Sequence, residues 1–138
     1  MQSIIIPTDF SNIANNAMAF AIEIARKMGS RVLIVNIARK NFINSIFSHS
    51  NQVSHDIASD NMKELELSLK SKTEGVIVDY KIIDGSFTDV LNKLCYDIDA
   101  DLIVMGTRAE SKVRRIIWGS NTLDVIEKVD CPLLVVPA

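Results

Sequence analysis

Five short runs dominated by Val, Ile and Leu punctuate the chain: SIIIP (3–7), RVLIVNI (31–37), VIVDYKII (76–83), DLIVM (101–105) and PLLVV (132–136). Brief, nearly continuous apolar runs of this kind are the pattern of strands covered on both faces. Between them apolar positions recur at helical spacing. Ile13, Ala17, Phe20, Ile24 and Met28 predict a helix over 12–28, with Asp9 and Ser11 as available N-caps and Gly29 as the stop. Val53, Ile57, Met62, Leu65 and Leu69 predict a second helix, ending near Lys72. After the turn Asp84-Gly85-Ser86, Val90, Leu91, Leu94 and Cys95 mark a third from about Thr88 to Ile98, and 121–128 reads as a fourth. Residues 39–52, RKNFINSIFSHSNQ, break the pattern; polar, with Phe42, Ile43, Ile46 and Phe47 embedded, they predict a long connection or a flap.

Strands alternating with helices predict an α/β fold: a Rossmann-like, doubly wound, open parallel sheet of five strands in the order 3-2-1-4-5, with helices on both faces. Strands 1 and 4 then sit side by side while the helices that follow them leave toward opposite faces. Ligands bind such sheets in the crevice at the carboxyl ends of that pair. Here those ends are Pro7-Thr8-Asp9 and Met105-Gly106-Thr107.

Length and composition narrow the class. At 138 residues the chain predicts a single domain, 1–138, large enough to bury a core. A net charge of -2 argues against a nucleic-acid binder, and the basic residues form no tract. The opening MQSIIIPTDF has neither a basic leader nor a long apolar core, and no apolar run approaches a membrane span. A cytoplasmic protein with no membrane partner is expected. Cys95 and Cys131 form no CxxC, and their apolar settings predict buried, inert thiols.

Candidate chemistry gathers in residues 105–121, MGTRAESKVRRIIWGSN. Gly106 leaves its strand without a Cβ, so a ligand could approach the backbone there. Gly119-Ser120 precedes a helix, where free N–H groups and the positive end of the dipole favour an anion. Arg108, Lys112, Arg114 and Arg115 add positive charge around it. Asp9 could accept hydrogen bonds from a ribose or hold a cation beside phosphates. Each feature also has a plain structural reading: Gly-Ser is a turn and an N-cap, Asp9 a helix cap, the arginines a solvated face. The chain has no Walker GxxxxGK[ST] and suggests no Ser-His-Asp set, so no catalytic residue is assigned. His49, His55, Cys95 and Cys131 form no metal-ligand spacing, so no intrinsic metal is expected. Mg2+ or Mn2+ would enter only with phosphate, through oxygens that include Asp9.

The whole chain resembles the universal stress protein family. IIIPTDFS matches its opening strand and aspartate, IDADLIVMGTR its fourth strand, and GSNTLDVIEKVDCPLLVVP its closing helix and strand. Nucleotide-binding members carry G-x2-G-x9-G-[S/T] after strand 4; here Gly106, Ala109 and Gly119-Ser120 keep that spacing, with alanine replacing the middle glycine. The resemblance implies a non-catalytic stress-response protein that binds ATP or AMP with Mg2+ or Mn2+. It places adenine at the main chain of Ile37, with ribose at Asp9 and Gly106, flanked by Pro7, Thr8 and Met105. The phosphates fall to Arg108, Ala109, Gly119, Ser120 and Asn121. It also implies a homodimer that pairs its last strands through Pro132, Leu133, Leu134, Val135, Val136 and Pro137, covering an apolar edge. Alanine at 109 costs on the order of 1 kcal/mol, about fivefold in affinity, if that position needs positive φ or close phosphate approach. The alternative reading is a dimeric interaction module that binds no nucleotide; a slow ATPase ranks below both.

Overall fold

The apolar runs assemble as parallel strands because each has two apolar faces to bury. The computed structural model describes residues 2–38, 48–110, 115–117 and 120–137, with the backbone alone described at 48–54, 108–110, 115–117 and 120. In chain order the elements are β1 (Ser3–Pro7), α1 (Asn12–Met28), β2 (Arg31–Ala38), α2 (Ser48–Leu69), β3 (Val78–Asp84), α3 (Phe87–Asp97), β4 (Leu102–Glu110), β5 (Arg115–Ile117), α4 (Ser120–Lys128) and β6 (Leu133–Pro137). The parallel strands lie in the order β3-β2-β1-β4-β6, the expected 3-2-1-4-5 arrangement with β6 in fifth place.

Side chains alternate across a strand, so each apolar run feeds two cores. Ile4, Ile6, Val32, Ile34 and Val104 face α1 and α2, where Met18, Ile22, Met62, Leu65 and Leu69 meet them. Ile5, Leu33, Val35, Ile103 and Met105 face the other way, onto Leu91, Leu94, Val125 and Val129 of the α3–α4 layer. Continuous apolar sequence is what a sheet covered on both faces requires.

Several details differ from the sequence reading. The buried stripe of α1 is Ala14, Ala17, Met18, Ala21, Ile22 and Ala25, while Phe20 and Met28 are 50% and 54% exposed. Alanines were undervalued as core markers; their small side chains let the helix lie close to the sheet. In α2 the inward set is Ala58, Met62, Leu65 and Leu69, and Ile57 is exposed. Residues 48–52, expected in the connection, belong to α2, whereas 39–47, including Phe42, Ile43, Ile46 and Phe47, lie outside the described residues. β4 does not stop at Met105 but runs to Glu110 and pairs antiparallel with β5, so the expected loop is partly a hairpin.

Cys95 and Cys131 are half-buried, not fully enclosed as expected, and both pack on the α3–α4 core. Burial pushes the Cys95 thiol up to about 12, with the adjacent Cys131 adding to the shift. Nearby, Asn92 donates to the Lys128 carbonyl (2.8 Å) and accepts from the Asp130 N–H (3.2 Å), fastening α3 to the chain that enters β6. Among the described residues no helix is long and apolar enough to cross a membrane.

Ile34 is fully buried on β2, between β3 and the central strand β1, so Ile34→Ala should cost about 2–5 kcal/mol, seen as a lower urea midpoint with unchanged slope. Phe20→Ala, the residue the sequence placed inside, should stay within about 0.5 kcal/mol of the parent.

Candidate functional site

β1 and β4 are neighbours for only part of their length. Their register covers Ile4↔Leu102 and Ile5↔Ile103, whereas β1 stays with β2 to Pro7↔Val35 and β4 stays with β6 to Thr107↔Pro137. The cause can be read from the ladder. Odd-numbered β1 residues turn their backbone groups toward β4, as when the Ser3 carbonyl accepts from the Asp101 N–H at 2.9 Å. Pro7 stands where the next donor to β4 would be, and it has no N–H. The sheet therefore opens between β1 and β4 at its carboxyl end.

The chain leaving β1 is held by its own short side chains. Thr8 N–H donates to the Val35 carbonyl (2.8 Å), and Thr8 Oγ1 accepts from Phe10 N–H (3.0 Å). Asp9 Oδ1 accepts from Ser11 N–H (3.0 Å), an Asx turn. Phe10 takes φ +65°, a strained value for a bulky residue, and packs against the α1–α2 core. Ser11, not Asp9, caps α1 by accepting from Ala14 N–H at 3.2 Å. Asp9 is thus an exposed carboxylate presented by a fixed turn, with Oδ1 engaged locally. Asn36 secures that turn from the next strand, its Nδ2 donating to the Thr8 carbonyl at 2.8 Å. Strand patterning alone does not mark Asn36, although a lone amide inside RVLIVNI is a visible signal.

Ile37 sits one step beyond this contact. Arg31 N–H donates to Gln2 and Thr8 N–H donates to Val35, so odd-numbered β2 residues direct their backbone groups toward β1. By that alternation the N–H and C=O of Ile37 point to the β1 side just past the point where β1 turns away. Its side chain packs on the α3–α4 core.

On β4, Met105 is buried and Gly106 half-buried. A Cβ on Gly106 would lie 2.6 Å from the Ile13 carbonyl oxygen and 2.8 Å from Ile13 Cγ2. The sequence reading gave this glycine to ligand approach; in the structure that side is filled by the first turn of α1. Arg108 and Ala109 pair with Ile117 and Ile116, so residue 109 has strand backbone. Strand backbone has negative φ, so alanine carries no positive-φ penalty there. Ser120 opens α4 and Asn121 follows, exposed. Gly119, Lys112 and Arg114 lie outside the described residues, and Arg115 begins β5. Among the described residues no group of three or more His, Cys, Asp or Glu is placed to hold a metal ion.

A doubly wound parallel sheet that opens between β1 and β4 defines a Rossmann-like α/β domain. The chain belongs to the universal stress protein family, whose model matches residues 1–137. It is 28% identical over 138 residues to a universal stress protein of Methanocaldococcus jannaschii, covering 98% of this chain and 81% of that one. The solved structure of another protein of that organism superposes with a TM-score of 0.79 at 26% identity, covering 99% of this chain and 96% of the other. A universal stress protein from Archaeoglobus fulgidus, solved in complex with dAMP, shares the fold with a TM-score of 0.69 at 21% identity, over 98% and 97% of the two chains.

Because Ile13 backbone fills the space at Gly106, Gly106→Ala should displace the start of α1 and cost about 1–3 kcal/mol in thermal or urea unfolding. A stability unchanged from the parent would mean that α1 yields freely and that the glycine serves something else.

Proposed function

We propose that this chain is a cytoplasmic stress-response protein that binds an adenine nucleotide, ATP or AMP, where β1 and β4 part, without turning it over. One observation carries the reading: the Ile37 main chain and the Asp9 carboxylate border the same opening at the carboxyl end of the sheet. A backbone donor–acceptor pair suits the edge of adenine, and a fixed carboxylate suits ribose hydroxyls. Pro7, Thr8, Met105 and Gly106 flank them. The phosphates run past the backbone of Arg108 and Ala109 to Gly119, Ser120 and Asn121. The start of α4 at Ser120 and Asn121 turns the positive end of the helix dipole toward them. Mg2+ or Mn2+ arrives with the phosphates, through oxygens that include the Asp9 carboxylate. The dAMP complex of the Archaeoglobus relative supports the choice of an adenine nucleotide.

Equilibrium dialysis against ATP and AMP with Mg2+ tests this. Saturable binding is expected, lost in Gly119→Asp, which sets a carboxylate against the phosphates; no binding at millimolar nucleotide overturns the reading. A ligand-free dimeric interaction module is the second reading, favoured by the Ile13 backbone filling the space at Gly106, which gives that glycine a purely structural use. Nucleotide absorbance at 260 nm in the purified protein would count against it.

The homodimer forms through β6. Ile103 N–H donates to the Pro132 carbonyl, so Leu133 and Val135 direct their backbone groups away from β4. Among the described residues β6 pairs with β4 alone, and a second copy of Pro132–Pro137 laid antiparallel would satisfy that edge. Sedimentation velocity should give twice the chain mass, and Val135→Pro, which removes one outward donor, should shift the protein toward monomer.

A further inference from the structure

The chain's two cysteines lie far apart in sequence, and the fold brings them to one place. Cys95 is in the last turns of α3, and Cys131 lies in the turn between α4 and β6. Ala100 joins them: its N–H donates to the Cys95 carbonyl (2.9 Å), and its own carbonyl accepts from Cys131 Sγ (3.6 Å). Both side chains pack on the same apolar cluster, and both are half-exposed. None of these residues belongs to the nucleotide site proposed above.

The structure assigns Cys95 and Cys131 to one oxidisable pair, which hydrogen peroxide converts to an internal disulfide tying α3 to the entry of β6. The reaction balances without any group held by the protein. The Cys131 sulfur attacks one peroxide oxygen; an S–O bond forms, the O–O bond breaks, and water leaves after taking up the thiol proton. The Cys95 sulfur then attacks the sulfenic sulfur; the S–S bond forms, the S–O bond breaks, and a second water departs with the second proton. Two thiols are oxidised by two electrons in all, and one peroxide is reduced to two waters.

Cys131 is the first to react because it stands outside the helix and leaves Cys95 as the resolving thiol. Burial holds both thiols above their usual range; Asp101 adds to the rise at Cys131, where the hydrogen bond with Cys95 opposes it. Little thiolate is present at neutral pH, so the pair is slow and answers sustained oxidant rather than a trace. Asn92 already fastens α3 to the α4–β6 turn, so the bond joins two elements that the reduced chain holds together.

The test treats the full chain with hydrogen peroxide in native buffer, then alkylates and digests it without reductant. The expected product is one peptide pair joined through Cys95 and Cys131. The intact chain should lose two hydrogens in mass, dithiothreitol should reverse the change, and the oxidised form should show a higher Tm than the reduced form. Cys95→Ser should abolish the internal link and leave oxidation confined to Cys131. The assignment is overturned if both thiols stay fully alkylatable under peroxide that oxidises free cysteine, or if links form only between chains. It also fails if the oxidised chain melts below the reduced one, because the bond would then be forced on the fold. These readouts come from the unsubstituted protein and stand whether or not Cys95→Ser folds.

Discussion

A missing hydrogen bond organises this molecule. Pro7 has no N–H to give β4, so the ladder between β1 and β4 ends after Ile5↔Ile103 while the outer pairs continue. Elsewhere in a sheet the loss of a ladder bond would be a defect. At the point where the chain reverses its winding it opens a crevice between two strands whose other neighbours hold them in place. Thr8 still donates to Val35, so β1 leaves the sheet only after its last bond to β2 is made.

What the opening presents is set by the local chemistry of the β1 exit. Thr8, Asp9 and Ser11 each satisfy a nearby N–H, and Asn36 ties the same turn to β2. These bonds offset the strain of Phe10 at φ +65° and leave Asp9 exposed on a rigid support. The alternation of backbone direction along β2, a consequence of parallel pairing, then delivers the Ile37 amide to the same side. The Asp9 carboxylate and the Ile37 amide, from different strands, are thus positioned by one hydrogen-bond register.

The sequence made the architecture legible because strands buried on both faces must be apolar at consecutive positions. SIIIP, RVLIVNI and DLIVM announce themselves for that reason, and with them the strand order and the place of the crevice. Helix faces were harder. The inward side of α1 is built from Ala14, Ala17, Ala21 and Ala25, whose small size is the point and whose weak hydrophobicity hid them behind Phe20 and Met28. The β4–β5 hairpin was missed because Thr107–Glu110 is polar, and strand pairing at a sheet end needs no apolar signature. At the site, Asp9, Ile37 and Gly106 could be placed from strand ends alone; the hold of Asn36 on Thr8 depends on a contact across strands that no local pattern encodes.

Gly106 shows why a motif glycine should not be read singly. Its missing Cβ admits the Ile13 carbonyl, and the alanine stripe of α1 brings the helix close enough to need that room. The same glycine would be required if no nucleotide ever bound, so its presence weighs little for function. Ala109 weighs little against it, since strand backbone opposite Ile116 does not call for glycine. What remains against alanine is the room its methyl takes from a phosphate, and that bears on affinity alone. Asp9 and Ile37, rather than the glycine spacing, therefore carry the case for a bound ligand. The fold needs neither the exposed Asp9 Oδ2 nor an Ile37 amide aimed past the end of β1, and a ligand would use both.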